Sequence, residues 1–250
     1  MLSMISVIVI TKNEEAHIFD CLESVKWADE IIVVDNFSDD KTFEICKKFT
    51  SLVYLHDWQG FGIQKNRALS YATGEWVFSI DADERVDADL KNAILEAVHK
   101  NENCAYKVKR LNFFSGKAMR FGKWSKDRPL RLFKRCRGEF SLDKVHESVN
   151  CNDSQKLLSG YLHHYPYKNY ESYIKKMQLY TSVWAQEQFS KGRKSSIFKA
   201  FLRAWFKFIS SYIFRLGFLD GSIGFSVAYC SMIYTFFKYA KLHHFYQQNK

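Results

Sequence analysis

The first hundred residues alternate between short apolar runs and longer amphipathic segments. Residues 4–10 and 30–35 are continuous apolar runs rich in β-branched residues, which is typical of strands buried on both faces. Two further strands are predicted at 52–55 and 75–80. Segments with apolar residues at helical spacing predict helices over 14–27, 39–49, 62–72 and 87–99. This alternation predicts an α/β fold with a mostly parallel, Rossmann-type sheet.

The rest of the chain has a different pattern. Short strands are predicted at 105–110, 130–134 and 157–162, and helices from residue 168 onward. We therefore predict two parts, an α/β domain over residues 1–165 and a C-terminal helical region over 166–250.

A predicted helix over 197–216 has two distinct faces. Lys199, Arg203 and Lys207 recur every four residues, while aromatic and aliphatic residues cover the other side. A basic amphipathic helix of this kind can lie on an anionic membrane, and a helix packed on its own domain has the same pattern. Residues 221–237 are uncharged but short for a membrane span, which favours a buried or interfacial helix.

Charge is distributed unevenly along the chain, whose net charge is +10. Residues 1–100 hold 10 Lys/Arg and 18 Asp/Glu, a net of −8, and the remainder holds 27 and 9, a net of +18. The basic part indicates an anionic partner, which charge alone leaves open between nucleic acid, a bilayer surface and a phosphorylated acceptor. The six cysteines show no C-x-x-C pair and residues 5–10 are too short for a signal-peptide core, so we expect a cytoplasmic protein with reduced thiols.

Polar residues follow three of the predicted strands. They are Thr11-Lys12-Asn13-Glu14, Asp35-Asn36 and Asp81-Ala82-Asp83-Glu84. Because the carboxyl ends of parallel strands share one edge of the sheet, where ligands bind, these residues mark a candidate active site. Asp81-x-Asp83 has the carboxylates to hold a hard cation whose other positions are filled by phosphate oxygens and water.

These strings, in this order and spacing, resemble the family-two glycosyltransferases of the GT-A fold. The resemblance rests on residues 6–15 and 32–35, on Gln64-Lys65-Asn66-Arg67-Ala68, on Gly74-Glu75-Trp76 and on 81–84. Residues 130–133, Val145-His146-Glu147 and two later strings resemble the lipopolysaccharide core β-1,4-glucosyltransferase group within that family.

The resemblance implies a role for each matching residue. Thr11 and Glu14 bracket a uridine, and Asp35 hydrogen-bonds its uracil. Lys65, together with Arg67, lies by the uracil or the diphosphate, Asp81 contacts the ribose or sugar, and Asp83 ligates Mg²⁺ or Mn²⁺. Simpler structural explanations remain for several of them: a solvated helix face for Lys65 and Arg67, a helix first turn for Glu14 and a turn residue for Asp35.

An inverting transfer also needs a general base for the acceptor hydroxyl. Glu147 matches the position where this group places its base, and Asp143 is the second candidate. Arg131 and the His163-His164 pair are further candidates, the arginine for leaving phosphates and the histidines for a metal or diphosphate contact. An arginine paired with a nearby acid and a packed histidine pair are the structural alternatives.

The resemblance implies an inverting, metal-assisted hexosyltransferase that uses a UDP-sugar. UDP-glucose is the expected donor, and a lipid-linked lipopolysaccharide or lipooligosaccharide inner-core sugar the expected acceptor; another donor sugar or envelope glycan is the alternative. We expect peripheral contact with the cytoplasmic face of an anionic inner membrane. No nucleic-acid-binding module and no Gly-rich loop after the first strand is visible, which argues against a nucleic-acid-binding protein and a nucleotidyltransferase.

Overall fold

The computed structural model describes residues 3–142, 148–167 and 169–249. The chain folds into two compact units. The first consists of Met1–Arg110 and Asp127–His164, and the second of Leu111–Lys126 and Tyr165–Lys250.

The predicted parallel sheet is present in the first unit. Its strands are β1 (Ile5–Thr11), β2 (Glu30–Asp35), β3 (Val53–Leu55) and β4 (Trp76–Asp81). They lie parallel in the order β3-β2-β1-β4. The apolar runs of β1, β2 and β4 are buried, as expected for strands covered on both faces, whereas Leu55 of β3 is exposed.

Antiparallel strands extend this sheet beyond β4, so that it is mixed. They are β5 (Glu84–Val86), β6 (Cys104–Phe114), β7 (Lys117–Ala118), β8 (Leu130–Lys134) and β11 (Ser154–Tyr167). The full order is β3-β2-β1-β4-β8-β6-β11-β5, with β7 paired to β6. A separate two-stranded ribbon joins β9 (Gly138–Phe140) to β10 (Val149–Cys151).

Four helices accompany the strands of the first unit. They are α1 (Ile18–Val25), α2 (Thr42–Phe49), α3 (Phe61–Tyr71) and α4 (Ala88–Lys100). The predicted start of α1 at residue 14 is wrong, because residues 14–17 form a turn in which the Glu14 carbonyl accepts from the amides of His17 and Ile18. Trp76 and Phe78 of β4 are fully buried in the main core.

The second unit contains the three C-terminal helices, α5 (Tyr170–Ser190), α6 (Ile197–Ile209) and α7 (Gly221–Gln248). Phe114, Met119 and Met177 are among the residues of its core. The predicted continuous helix over 197–216 is wrong at its end: a π-helical turn occupies Ser210–Phe214, and Leu216 takes a left-handed backbone with φ of 57°. Ala200 and Ala204 are the buried residues of α6.

No single helix among the described residues is long and apolar enough to cross a bilayer. The pair Ile197–Phe214 and Gly217–Gln248, bent by 73°, meets that test only when its two halves are taken together.

Candidate active site

The ends of β1, β2 and β4 bring three of the predicted site residues to one edge of the sheet. Thr11 is the register partner of Asp35, and Ile10, next to Thr11, is the register partner of Asp81. The convergence expected from the sequence is therefore present in the backbone itself.

Asp35 holds the turn that follows β2. Its carboxylate is fully buried and accepts hydrogen bonds from the backbone N–H of Ser38 at 2.8 Å and from the Ser38 hydroxyl at 2.5 Å. This is the turn role that was the structural alternative for Asp35. The neighbouring Thr11 hydroxyl is buried and has no hydrogen-bond partner among the described residues, so a ligand that offers one would remove a desolvation cost.

Two loops face each other above this edge. The Asn13 amide donates to the Ser38 hydroxyl at 2.9 Å, and the Asp39 amide donates to the Asn13 side chain at 2.8 Å. Asn13 and Phe37 have positive φ values of 54° and 49°. A left-handed backbone is costly for phenylalanine, and such strain is concentrated at functional sites.

Glu14 lies in the same loop, before α1. Its backbone N–H donates to the Thr42 hydroxyl at 2.8 Å, and the residue is partly exposed. The backbone of Glu14 is thus held by Thr42, the first residue of α2, in the loop that follows β1.

Asp81 is held by two buried cations. Its Oδ1 lies 2.8 Å from the Lys65 ammonium, and its Oδ2 accepts from the Arg131 guanidinium at 2.6 Å. Lys65 is only 4% exposed, so it does not lie on a solvated helix face. Burial raises the pKa of Asp81, but Arg131 and then Lys65 outweigh it and hold the pKa well below its usual value.

This pKa has a defined consequence for stability. A carboxyl whose pKa is lower in the folded state stabilises the fold fully above its unfolded pKa, here near 3.8. The contribution is lost only as the pH falls from there toward the lowered folded value. Asp81 is therefore ionised, and its contribution to stability complete, at neutral pH.

Glu84 extends the ion pairs of Asp81 into the protein interior. It is fully buried, accepts from the Asp81 backbone N–H at 2.9 Å, and accepts from Arg131 at 2.7 Å and Arg110 at 3.0 Å. Arg110 also pairs with Asp127. Acidic and basic groups thus alternate from Lys65 to Asp127, which fixes the backbone of the turn after β4.

Sequence reasoning gave no role to Glu84 or Arg110. The sequence does indicate an inward-facing position for Arg110, because strand alternation places it on the same side as the buried Val108. For Arg131 the structure shows the structural alternative, an arginine paired with nearby acids.

We expect Glu84→Gln to destabilise the protein by about 3–5 kcal/mol, because it leaves the buried Arg131 with an incomplete counter-charge. Urea denaturation followed by circular dichroism measures this loss. The matched control is Glu96→Gln on α4, which removes an exposed carboxylate paired with Lys100 and is expected to leave the midpoint unchanged. Equal midpoints for the two variants would show that the buried network adds nothing to stability.

Asp83 lies in the turn between β4 and β5, beside a histidine from β11. Its Oδ2 is 3.5 Å from Nε2 of His164, and the two side chains are 17% and 15% exposed. His164 is the register partner of Glu84, which positions it opposite this turn. Its neighbour His163 approaches Asp87 at 4.0 Å, and burial lowers the pKa of His163.

Asp83 and His164 could together hold a divalent cation whose remaining coordination positions are filled by a bound substrate and water. Carboxylate oxygen suits Mg²⁺ and Mn²⁺, and both ions take further ligands from phosphates and water. Within the described ranges no group of three His, Cys, Asp or Glu side chains could enclose a metal. The residues therefore fit a cation that the diphosphate helps to hold, as at nucleotide sites, and not a closed structural metal site.

Arg67 makes its hydrogen bonds outside these ion pairs, with the loop before α3 and the start of that helix. It donates to the Asp57 carbonyl and to the Gln64 side chain, both at 2.7 Å. It thereby ties the loop before α3 to the first turns of that helix.

The two candidate bases, Asp143 and Glu147, lie outside the described residues. The residues that flank them are well anchored: the Ser141 amide donates to the Ser148 carbonyl at 2.8 Å. On the α3 side, Asn66 exchanges two hydrogen bonds with the Phe140 backbone, and the Phe140 ring lies 5.7 Å from the Lys65 ammonium. A Cβ on Gly62 would lie 1.9 Å from the Ser141 carbonyl, so this close approach requires glycine.

With this geometry in place, comparison with known proteins decides the family. The family model described as Glycosyl transferase family 2 matches residues 6–150. The chain belongs to this family. It is a glycosyltransferase, as the resemblance of its strand-end strings predicts.

Two relatives cover nearly the whole chain. An uncharacterised glycosyltransferase of Rickettsia typhi is 32% identical over 95% of this chain and 85% of its own length. The lipopolysaccharide core biosynthesis glycosyltransferase LpsC of Rhizobium meliloti is 29% identical over 96% of this chain and 92% of its own length.

Among solved structures, residues 1–349 of S. aureus TarS align with 99% of this chain and 92% of that chain, at 16% identity and a TM-score of 0.50. This likeness shows the fold, and it supports the GT-A-like architecture predicted from the strand-end strings.

Proposed function

We propose that the protein transfers a hexose, with glucose the favoured sugar, from a UDP-sugar onto an inner-core sugar of lipopolysaccharide or lipooligosaccharide, with inversion at the anomeric carbon. The observation that carries this proposal is the turn after β4, where buried ion pairs fix Asp81 while Asp83 stands beside His164. The similarity to LpsC supports an acceptor of the lipopolysaccharide core.

In this proposal the base and ribose of the donor bind at the ends of β1 and β2. The buried Thr11 hydroxyl has no hydrogen-bond partner among the described residues, Asp35 is its register partner, and Glu14 lies in the loop that follows β1. Directional polar groups on rigid elements select a nucleoside by its hydrogen-bonding edges. Arg67 supports this side indirectly, by holding the loop before α3.

The diphosphate and sugar would lie at the end of β4. Asp81 keeps 29% of its side chain exposed and can accept from a ribose or sugar hydroxyl while Lys65 and Arg131 hold it in place. Asp83 and His164 would hold Mg²⁺ or Mn²⁺, which supplies charge stabilisation for the departing diphosphate. Lys65 contributes fixed positive charge on the same side.

The acceptor hydroxyl must lose a proton as it attacks the anomeric carbon. We assign this step to Glu147, with Asp143 as the second candidate. The support is that residues 141 and 148, on either side of the two candidates, are held together and that Phe140 lies against Lys65. One carboxylate on the face opposite the leaving group is sufficient for such a transfer.

The test is transfer to a lipid-linked core acceptor from UDP-glucose, UDP-galactose and UDP-N-acetylglucosamine, each supplied alone. We expect product with UDP-glucose, and a β-anomeric proton in its NMR spectrum. Product from one of the other donors would support the same transfer reaction with a different donor sugar. Absence of product with all three, together with no binding of UDP by calorimetry, would contradict the proposal.

We further propose that α6 docks on an anionic membrane surface. Its aromatic face is exposed, with Phe198 at 71%, Trp205 at 51% and Phe206 at 66%. Exposed apolar patches of this kind mark interaction surfaces. The second unit holds 17 Lys/Arg, 4 in residues 111–126 and 13 in 165–250, against the three acids Glu171, Glu187 and Asp220, a charge that complements anionic lipid.

Replacing Trp205 and Phe206 together by serine is expected to weaken binding to vesicles of phosphatidylcholine and phosphatidylglycerol by at least about tenfold, because two aromatic side chains would no longer enter the bilayer surface. Flotation at low and high salt measures the binding. Leu95→Ser, which removes an exposed apolar side chain from α4, is the control and is expected to bind as the wild type does. Unchanged flotation of the double variant would exclude α6 as the docking face.

A further inference from the structure

Three lysines from separate elements of the second unit lie beside one another. Lys207 of α6 is within hydrogen-bonding reach of Lys123, which begins the turn Lys123–Lys126. Lys238 of α7 lies close enough to both to act on their charge, and Arg215 adds a fourth cation. We call Lys123, Lys207 and Lys238 the lysine cluster.

The backbone around the cluster is fixed by hydrogen bonds. The Gly122 amide donates to the Arg215 carbonyl at 2.9 Å, and the Phe121 amide donates to the Asp220 carboxylate at 3.0 Å. These bonds hold the segment before Lys123 against the connection between α6 and α7. The backbone position of Lys123 beside Arg215 is therefore set by the fold.

An aromatic ring holds Lys238 in place. Its ammonium lies 4.2 Å from the centroid of the Trp184 ring and 5.6 Å from that of Tyr234. A cation over an aromatic face is attracted by the ring, which restricts the side chain. The site therefore has one preoriented cation before any ligand arrives.

The three acidic residues of the second unit make contacts outside the lysine cluster. Asp220 accepts from the backbone of residues 120 and 121, Glu187 pairs with Lys191, and Glu171 accepts from Asn169. Among the described residues Glu187 acts on the charge of Lys238, and it does so from an exposed position. None of the ion pairs between described side chains includes a member of the lysine cluster.

Such a cluster is electrostatically unfavourable by itself. Burial and then the neighbouring Lys123 lower the pKa of Lys207 to about 7, with Arg215 and Lys238 adding to the effect. A bound anion would reverse this repulsion, since each ammonium could then donate a charge-assisted hydrogen bond.

We propose that the lysine cluster is a binding site for a phosphate group. Neighbouring ammonium groups can each donate a hydrogen bond to an oxygen of one phosphate, and Arg215 adds a further positive charge. The phosphate can belong to a soluble molecule or to a lipid headgroup, since both present the same chemistry. This inference concerns the second unit alone and does not depend on the sugar that the protein transfers.

The test is calorimetric titration of the full chain with inorganic phosphate in a phosphate-free buffer, together with flotation on phosphatidylcholine vesicles that contain phosphatidic acid. Lys207→Met removes the central charge and keeps an apolar stem of similar length. Lys48→Met removes an exposed charge from α2 in the first unit, outside both proposed binding surfaces, and is the matched control. We expect Lys207→Met to weaken phosphate binding by about tenfold or more, the value of one charge-assisted hydrogen bond.

The two arms distinguish the source of the phosphate. Loss of inorganic phosphate binding in Lys207→Met, with flotation unchanged and Lys48→Met unaffected, assigns a soluble phosphate. A Lys207-dependent loss that includes binding to the vesicles assigns a lipid headgroup. If Lys207→Met equals Lys48→Met in both arms, the proposal is overturned. Thermal unfolding provides the folding check, since removing a repelled lysine is expected to keep or raise the melting temperature in the absence of phosphate.

Discussion

Asp83→Asn is expected to weaken metal-dependent binding of UDP by at least about 100-fold. The side chain keeps its size but loses the negative charge that a hard cation needs, and the proposed site pairs it with His164 as a second ligand. Loss of a residue that merely orients a metal ligand already costs 10–100-fold, so loss of a direct ligand costs at least the upper value. Isothermal titration with UDP in the presence of Mn²⁺ measures the effect.

EDTA and a second variant provide the controls for this measurement. Wild-type protein in EDTA is expected to bind UDP as weakly as Asp83→Asn does, and added Mn²⁺ restores only the wild type. Asp89→Asn, on the exposed first turn of α4, removes one negative charge from the same unit and is expected to bind normally. Equal UDP affinity with and without metal would rule out the proposed role of Asp83.

Glu147→Gln is expected to lower kcat by about 10²–10⁴-fold while leaving the Kd for UDP within about twofold. A general base contributes this much to a proton transfer, and it takes no part in holding the nucleotide. Transfer assays with saturating donor and acceptor give kcat, and the same calorimetric titration gives Kd.

The variant Asp143→Asn distinguishes between the two candidate bases. Full activity of Asp143→Asn beside an inactive Glu147→Gln supports Glu147 as the base. The reverse pattern moves the role to Asp143. Normal turnover by both variants would place the base elsewhere in the chain.

The architecture of the first hundred residues could be predicted because each of its elements has a local signal. The run E-I-I-V-V-D predicts β2 at the residues where the structure has it, Glu30–Asp35. Period and β-branching decide such a strand without reference to its neighbours. The antiparallel strand β5 was missed, because three residues after an acidic turn carry no periodicity, and it is defined only by its pairing with β11.

In the helical region too, the sequence predicted part of the structure and left part of it open. The alternation of basic and aromatic residues along α6 could be seen from the sequence, but not which side would be buried. The structure buries Ala200 and Ala204 and exposes Phe198 and Phe206. The pattern alone had left a packed helix and a surface helix equally open, because both need one apolar face.

The sequence by itself determined the family, the succession of strands and helices in the first hundred residues and the identity of the residues at the strand ends. It did so because buried strands and their polar termini are properties of short contiguous segments. Only the tertiary structure decided that Lys65 is buried against Asp81 and that Glu84 joins Arg131 to Arg110. It also decided that three lysines far apart in the chain lie together. Each of these contacts joins residues from elements that are distant in sequence, so its geometry exists only once the chain has folded.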